Sequence, residues 1–261
     1  MAPRHKIDLN SDVGESFGIY RLGQDDQLIP FISSANIACG FHAGDPCVMR
    51  RTIWLAEQHG VAVGAHPGFP DLIGFGRRNM DVSLSDIRDY VVYQVGALRA
   101  FAAMAGLKLQ HVKAHGALYN MGVRQIEIYE AIAETISRMD RDLILVVMSG
   151  AGRRELEAIG KTYDMRIAFE SFADRGYNPD GTLVSRLKAG AVLEDPRQVS
   201  ERIVKLVKEG KVVAVDGSEI ELKADTICLH GDNPAALSLV KTIREACDAS
   251  EIEIAPLNSF L

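Results

Sequence analysis

Short apolar runs alternate with longer stretches of helical periodicity from one end of the chain to the other. Strand side chains alternate faces and helix side chains recur about every 3.6 residues, so the two patterns separate the elements. The runs at 6–10, 34–39, 61–66, 110–115, 143–148, 166–172 and 226–230 predict core strands. A hairpin is predicted at 212–222 around the Asp216-Gly217 turn, and a short terminal strand at 252–254. Asp45 before Pro46 predicts a helix start, running to about residue 59. Ser83 and Asp86 form a capping box for a long helix ending near Gly106. Further helices are predicted over about 125–139, 152–163, 196–209 and 234–249. Two glycine-containing loops, 67–79 and 174–190, interrupt the pattern.

Strands alternating with helices predict a parallel sheet with covering helices. No linker-like stretch divides the chain, and no G-x-G-x-x-G follows the first strand. The expectation is one α/β domain over 1–261, a deformed (β/α) barrel of about seven parallel strands with one inserted hairpin.

Composition removes several classes of function. The chain is 47% hydrophobic and 25% charged, with a net charge of −6, so a basic footprint for nucleic acid is absent. No apolar run approaches the roughly 18 residues of a membrane span, and the first residues lack a signal-like apolar stretch. Cys39, Cys47, Cys228 and Cys247 form no CxxC pair, which suggests free thiols and a cytoplasmic location. The sequence leaves the oligomeric state open.

In α/β folds ligands bind at the C-terminal ends of the strands. Here those ends are rich in ionisable groups. Parity puts Asp8, Asn10 and Asp12 on one strand face, His111, Lys113 and His115 on another, and His230 with Asp232 on a third. Charges on a strand face are costly unless they pair or line a wet site. A lone histidine is more often structural, but His42, His66, His115 and His230 stand at four different strand ends. Glu170, between Phe169 and Phe172, suits acid–base work, with an ion pair to Arg175 as the bland alternative. The arginines of the two loops are candidates for gripping an anion. His59 is read as a helix-end cap. Gly160-Lys161-Thr162 fails the full P-loop pattern, and Cys39 is read as a buried structural thiol. No compact metal-ligand spacing exists, so a divalent metal would need ligands assembled in space.

The segments IDLNSDVGESFG, SSANIACGFHAGDP, VGAHPGFPDLIGFGRR, QHVKAHGALYN, FADRGYNPDGTLV and ICLHGDNPAA resemble the lactam-utilisation family, in its order and over nearly the whole chain. The characterised members of that family are the A component of prokaryotic 5-oxoprolinase. The resemblance implies ATP-dependent opening of 5-oxo-L-proline to L-glutamate with partner subunits B and C. It also implies a barrel like that of polysaccharide deacetylases and related glycosidase-like folds. One departure is Ala114, where the family is expected to carry proline. On this reading Asp12, His115 and Glu170 are the candidates for proton transfer. Lys113 and Arg175 would hold the substrate carboxylate or the phosphorylated oxygen. Asn10, Glu15, His42, His66, His230 and Asp232 would line the site. Two alternatives are a stand-alone metal-dependent amide hydrolase and a non-catalytic lactam-binding subunit.

Overall fold

The computed structural model describes residues 5–150, 152–185, 188, 190–229 and 235–261. In chain order the strands are β1 (His5–Val13), β2 (Ser34–Ala38), β3 (Ala62–His66), β4 (Leu109–Lys113), β5 (Ile144–Met148), β6 (Arg166–Phe172), β7 (Lys211–Val213), β8 (Glu219–Glu221), β9 (Thr226–Cys228) and β10 (Ile252–Ile254). The helices are α1 (Asp25–Leu28), α2 (Pro46–Gln58), α3 (Leu84–Met104), α4 (Gly116–Arg124), α5 (Ile126–Met139), α6 (Arg153–Thr162), α7 (Pro196–Glu209) and α8 (Ala236–Ala249).

Strands β1 to β6 pair in sequence order, β6 pairs β9, and β9 pairs back onto β1, which closes a seven-stranded parallel barrel. β10 adds to the outside of this ring along the first residues of β1. The antiparallel β7–β8 hairpin stands apart and, with α7, fills the long connection from β6 to β9. This is the barrel with one inserted hairpin that the hydrophobic pattern predicts.

Local chemistry explains the element starts. The Asp45 carboxylate accepts from the amides of Cys47 and Val48, satisfying two donors that α2 leaves open, with Pro46 as its first residue. Ser83 and Asp86 cap α3 reciprocally, and Asp195 caps α7 before Pro196. The outward faces of the barrel strands and the inner faces of the helices share one contiguous apolar core. No helix among the described residues is long and apolar enough to cross a membrane.

Three differences from the predicted elements bear on the site. β1 runs on to Val13, so Asp12 is a strand residue. β4 ends at Lys113, and His115 is the N-cap of α4 instead of a strand residue. α4 itself was not predicted, because it is short and carries Gly116 and Gly122, which weaken a helical signal. The predicted strand over 226–230 is β9 as far as Cys228; His230 and Asp232 lie outside the described residues.

The barrel is irregular where β3 meets β4. Their register shifts between Val63 and Gly64. A Cβ on Gly64 would stand 2.2 Å from Nε2 of His111, so only glycine lets the imidazole lie against the strand.

Candidate functional site

The barrel interior holds a continuous polar network, which begins at its closed end with Asp8. The carboxylate accepts from the hydroxyls of Ser33 at 2.7 Å and Ser34 at 2.6 Å, and from Thr226. Burial pushes the Asp8 carboxyl up to about 6, against the opposing pull of those hydroxyls. Asn10 is next along the same face. Its amide donates to Thr226 at 2.6 Å and to Glu170 at 3.0 Å, and its carbonyl accepts from Asn36 at 2.7 Å.

Lys113 occupies the centre. Its Nζ lies 2.8 Å from Glu170 Oε1, 2.9 Å from Asp12 Oδ1, 3.4 Å from Asn10 Oδ1 and 3.2 Å from Cys228 Sγ. Burial works against its charge, but Asp12, the Cys228 sulfur and Glu170 more than offset it, so the pKa stands well above the ordinary lysine value. Glu170 is wholly buried and also accepts from the Tyr119 hydroxyl at 2.8 Å. Burial, then the charge of Glu170, hold that phenol protonated far above its usual range. Glu170 thus takes Lys113 as its cation, where the sequence offered Arg175 for that part.

Asp12 joins this network to a second group at the mouth. Its Oδ1 also accepts from Asn36 at 2.8 Å, while its Oδ2 lies 3.4 Å from Nε2 of His66. The Asp12 side chain is 14% exposed, against 3% for Lys113, so it is the part of the pair that reaches solvent. His66 Nε2 lies 3.0 Å from His115 Nδ1. The His42 ring stacks on His115 at 3.7 Å between centroids, 2° from parallel. Glu15 Oε1 approaches His42 Nε2 at 3.7 Å and His115 Nδ1 at 3.8 Å. One ligand atom from each of Glu15, His42, His66 and His115 lies within 4.8 Å of the others, a cluster able to hold a metal ion.

Burial first, then neighbouring positive groups, lower the basicity of the His42 and His115 rings. His115 falls to about 3, and His42 falls well below the ordinary histidine value. His111, deeper in the barrel, also falls to about 3, through burial and then the charge of Lys113. It is held neutral by amides: its Nε2 donates to Asn36 Oδ1 at 2.7 Å, and Gln110 Nε2 donates to its Nδ1 at 3.1 Å.

The structure therefore brings together Asn10, Asp12, Glu15, His42, His66, Lys113, His115 and Glu170. Arg175 plays a different part in its described bonds. Its guanidinium donates to the carbonyls of Ala191 at 3.1 Å and Val184 at 2.7 Å and clasps the β6–α7 segment. In the 67–79 loop Arg78 is paired with Asp71, and Gln94 of α3 bonds both the amide and the carbonyl of Gly68. Those bonds tie that stretch to itself and to α3. Cys39 is a buried thiol raised to about 12 by burial, which bears out its structural reading.

Sequence reasoning missed Asn36, Tyr119, Thr226 and Cys228. Asn36 carried a usable signal, a lone amide inside an apolar run, two residues after Ser34 on the same strand face. Tyr119 carried none, because it reaches Glu170 from a helix the pattern did not reveal.

Residues 7–261 match the model of the LamB/YcsF family. A protein from Pyrococcus abyssi, named as the A component of 5-oxoprolinase, is 52% identical over 256 residues, covering 98% of this chain and 99% of its own. One of the same name from Campylobacter jejuni is 50% identical over the same shares. The lactam utilization protein of Thermus thermophilus superposes with a TM-score of 0.90 at 44% identity, covering 96% of this chain and 99% of that one. A putative cellobiose-phosphate cleavage protein from Enterococcus faecalis, 14% identical with a TM-score of 0.56, shares the fold alone. The family that the strand-end motifs resemble is the one these likenesses show, and the chain belongs to the LamB/YcsF family.

Proposed function

We propose that the chain is one component of an ATP-dependent 5-oxoprolinase and that, with partner subunits B and C, it opens 5-oxo-L-proline to L-glutamate. One observation carries the reading. A lysine held between two carboxylates, Lys113 with Asp12 and Glu170, stands at the C-terminal ends of barrel strands in a chain whose relatives are named as the A component of 5-oxoprolinase.

The chemistry needs what this site holds. A five-membered lactam is a stabilised amide and a poor electrophile. Transfer of the terminal phosphoryl of ATP to the lactam oxygen releases ADP and makes the ring carbon reactive. Water adds there, losing a proton to a base, and the ring C–N bond breaks as the nitrogen takes a proton. A second water cleaves the resulting acyl phosphate to the free carboxylate and inorganic phosphate.

Asp12 is the base in this scheme, since its carboxylate has the exposed edge. Lys113 places positive charge where the phosphorylated oxygen gathers negative charge. The proton for the leaving nitrogen comes from water at the mouth, in the space that His115 borders and shapes. Glu170, wholly buried between Lys113, Asn10 and Tyr119, positions Lys113. Asn10, Glu15, His42 and His66 line the cavity, and Arg175 fixes the segment beside it. ATP handling is shared with the partner subunits, and the four free thiols suit the cytoplasm, where ATP is supplied.

The test is 5-oxoproline-dependent ATP hydrolysis by the purified chain, alone and reconstituted with subunits B and C. Turnover is expected only in the reconstituted mixture, and Asp12→Asn and His115→Ala should lower it by about 100-fold or more. Near-normal turnover in either folded variant would remove that residue from its role.

A further inference from the structure

The histidine cluster at the mouth poses a problem of lone pairs. His66 Nδ1 lies 2.7 Å from the backbone carbonyl of Lys113, and His115 Nε2 lies 2.8 Å from that of Phe75. A carbonyl oxygen can only accept, so each ring carries its N–H on that outer nitrogen. The inner nitrogens, His66 Nε2 and His115 Nδ1, then both present lone pairs, and they face each other at 3.0 Å. Two lone pairs at that distance repel unless a cation sits against them. Carboxylate oxygens close the same space, Asp12 Oδ2 at 3.4 Å from His66 Nε2 and Glu15 Oε1 at 3.8 Å from His115 Nδ1.

His42 adds a second, independent observation. It is wholly buried, and neither of its ring nitrogens has a hydrogen-bond partner. A buried polar atom left unsatisfied costs about 1–3 kcal/mol, and such atoms call for a missing ligand.

From this geometry we propose that Glu15, His42, His66 and His115 bind one divalent transition metal of the zinc class. The donor chemistry selects the ion. Imidazole nitrogens with a carboxylate suit zinc, cobalt, nickel or iron, whereas magnesium and calcium take oxygen ligands. The carbonyl bonds of His66 and His115 are the outer contacts that hold ligating imidazoles in the right tautomer. Bonds of about 2.0–2.1 Å require the donor atoms to draw inward from their present spread. His42 must make the largest move, because a ring lying parallel to His115 cannot aim at the same centre. It loses no hydrogen bond in turning. The ligands come from the loops after β1 and β2, the end of β3 and the N-cap of α4, all at the mouth of the barrel. Such an ion is a Lewis acid, and its site adjoins Asp12.

The site is tested without reference to lactam turnover, so it stands or falls separately from the function proposed above. The full-length chain, purified from zinc-supplemented medium, is assayed for metal by elemental analysis. It is then stripped with a chelator and titrated with Co2+ while visible absorption is followed. The expected result is one metal per chain, with cobalt bands showing nitrogen ligation. His66→Ala and Glu15→Gln should weaken Co2+ binding at least tenfold. Should His66→Ala fail to fold, His42→Ala decides the matter, since that ring makes no hydrogen bond to lose. Absence of metal, together with imidazole 15N shifts showing a proton shared by His66 and His115, would overturn the proposal. So would cobalt binding unchanged by His42→Ala.

Discussion

Lys113 and Asp12, 101 residues apart in the chain, meet at 2.9 Å inside the barrel. The same ammonium lies 2.8 Å from Glu170, so one cation serves two carboxylates, and Asp12 carries the arrangement outward to the histidines. Removing the cation leaves Glu170 charged in a dry setting and takes from Asp12 its partner at the mouth.

Lys113→Ala is therefore expected to destabilise the fold by about 3–5 kcal/mol, the usual cost of breaking a buried ion pair from one side. Adding Glu170→Gln to that variant should restore part of the loss, because the stranded carboxylate is then neutral. Urea unfolding of the single and double variants measures both. A double variant less stable than Lys113→Ala would contradict the pairing.

His111 makes stability depend on acid. Its folded pKa lies near 3, below the unfolded value of about 6.5, so the unfolded chain binds more protons between those limits. The stabilisation is present above about pH 6.5 and is lost as pH falls toward 3. At pH 5 this one group should cost about 2 kcal/mol relative to neutral pH. Comparing the pH dependence of unfolding in the native chain and in His111→Gln isolates it; identical slopes would show that His111 does not contribute.

Asp8 works in the opposite direction. Its folded pKa is raised to about 6 from 3.8, so the folded chain binds more protons in that interval. Stability from this group is full below about pH 4 and lost as pH rises through 6. The total is about 3 kcal/mol at 1.36 kcal/mol per unit. Asp8→Asn should flatten this component, and an unchanged profile between pH 4 and 7 would count against it.

Gly64→Ala tests the close approach of β3 to His111. The added methyl would meet the imidazole at 2.2 Å, so ring or strand must shift. A loss of about 1–3 kcal/mol is expected. His111→Ala in the same chain should relieve the clash, and thermal unfolding of the pair of variants reads the coupling.

The barrel was legible in the sequence because its signal is local. Seven apolar runs separated by helical periods, with Asp45 and Ser83 at helix starts, specify the elements residue by residue. Strand parity likewise placed Asp8, Asn10 and Asp12 on one face, and all three do face the interior network. The length of β1 and the helix after His115 were not legible, since polar residues end the apolar pattern before the strand stops and glycines mask a short helix.

Partnership belonged to the tertiary structure alone. Whether Glu170 would take Lys113 or Arg175 depended on which strands adjoin and how the β6–α7 segment folds back. That Glu15, His42, His66 and His115 converge depended on barrel closure, which brings loops far apart in sequence to one mouth. Periodicity tells which way a side chain points along its own strand. It carries no information on what stands opposite, and the chemistry here is decided by what stands opposite.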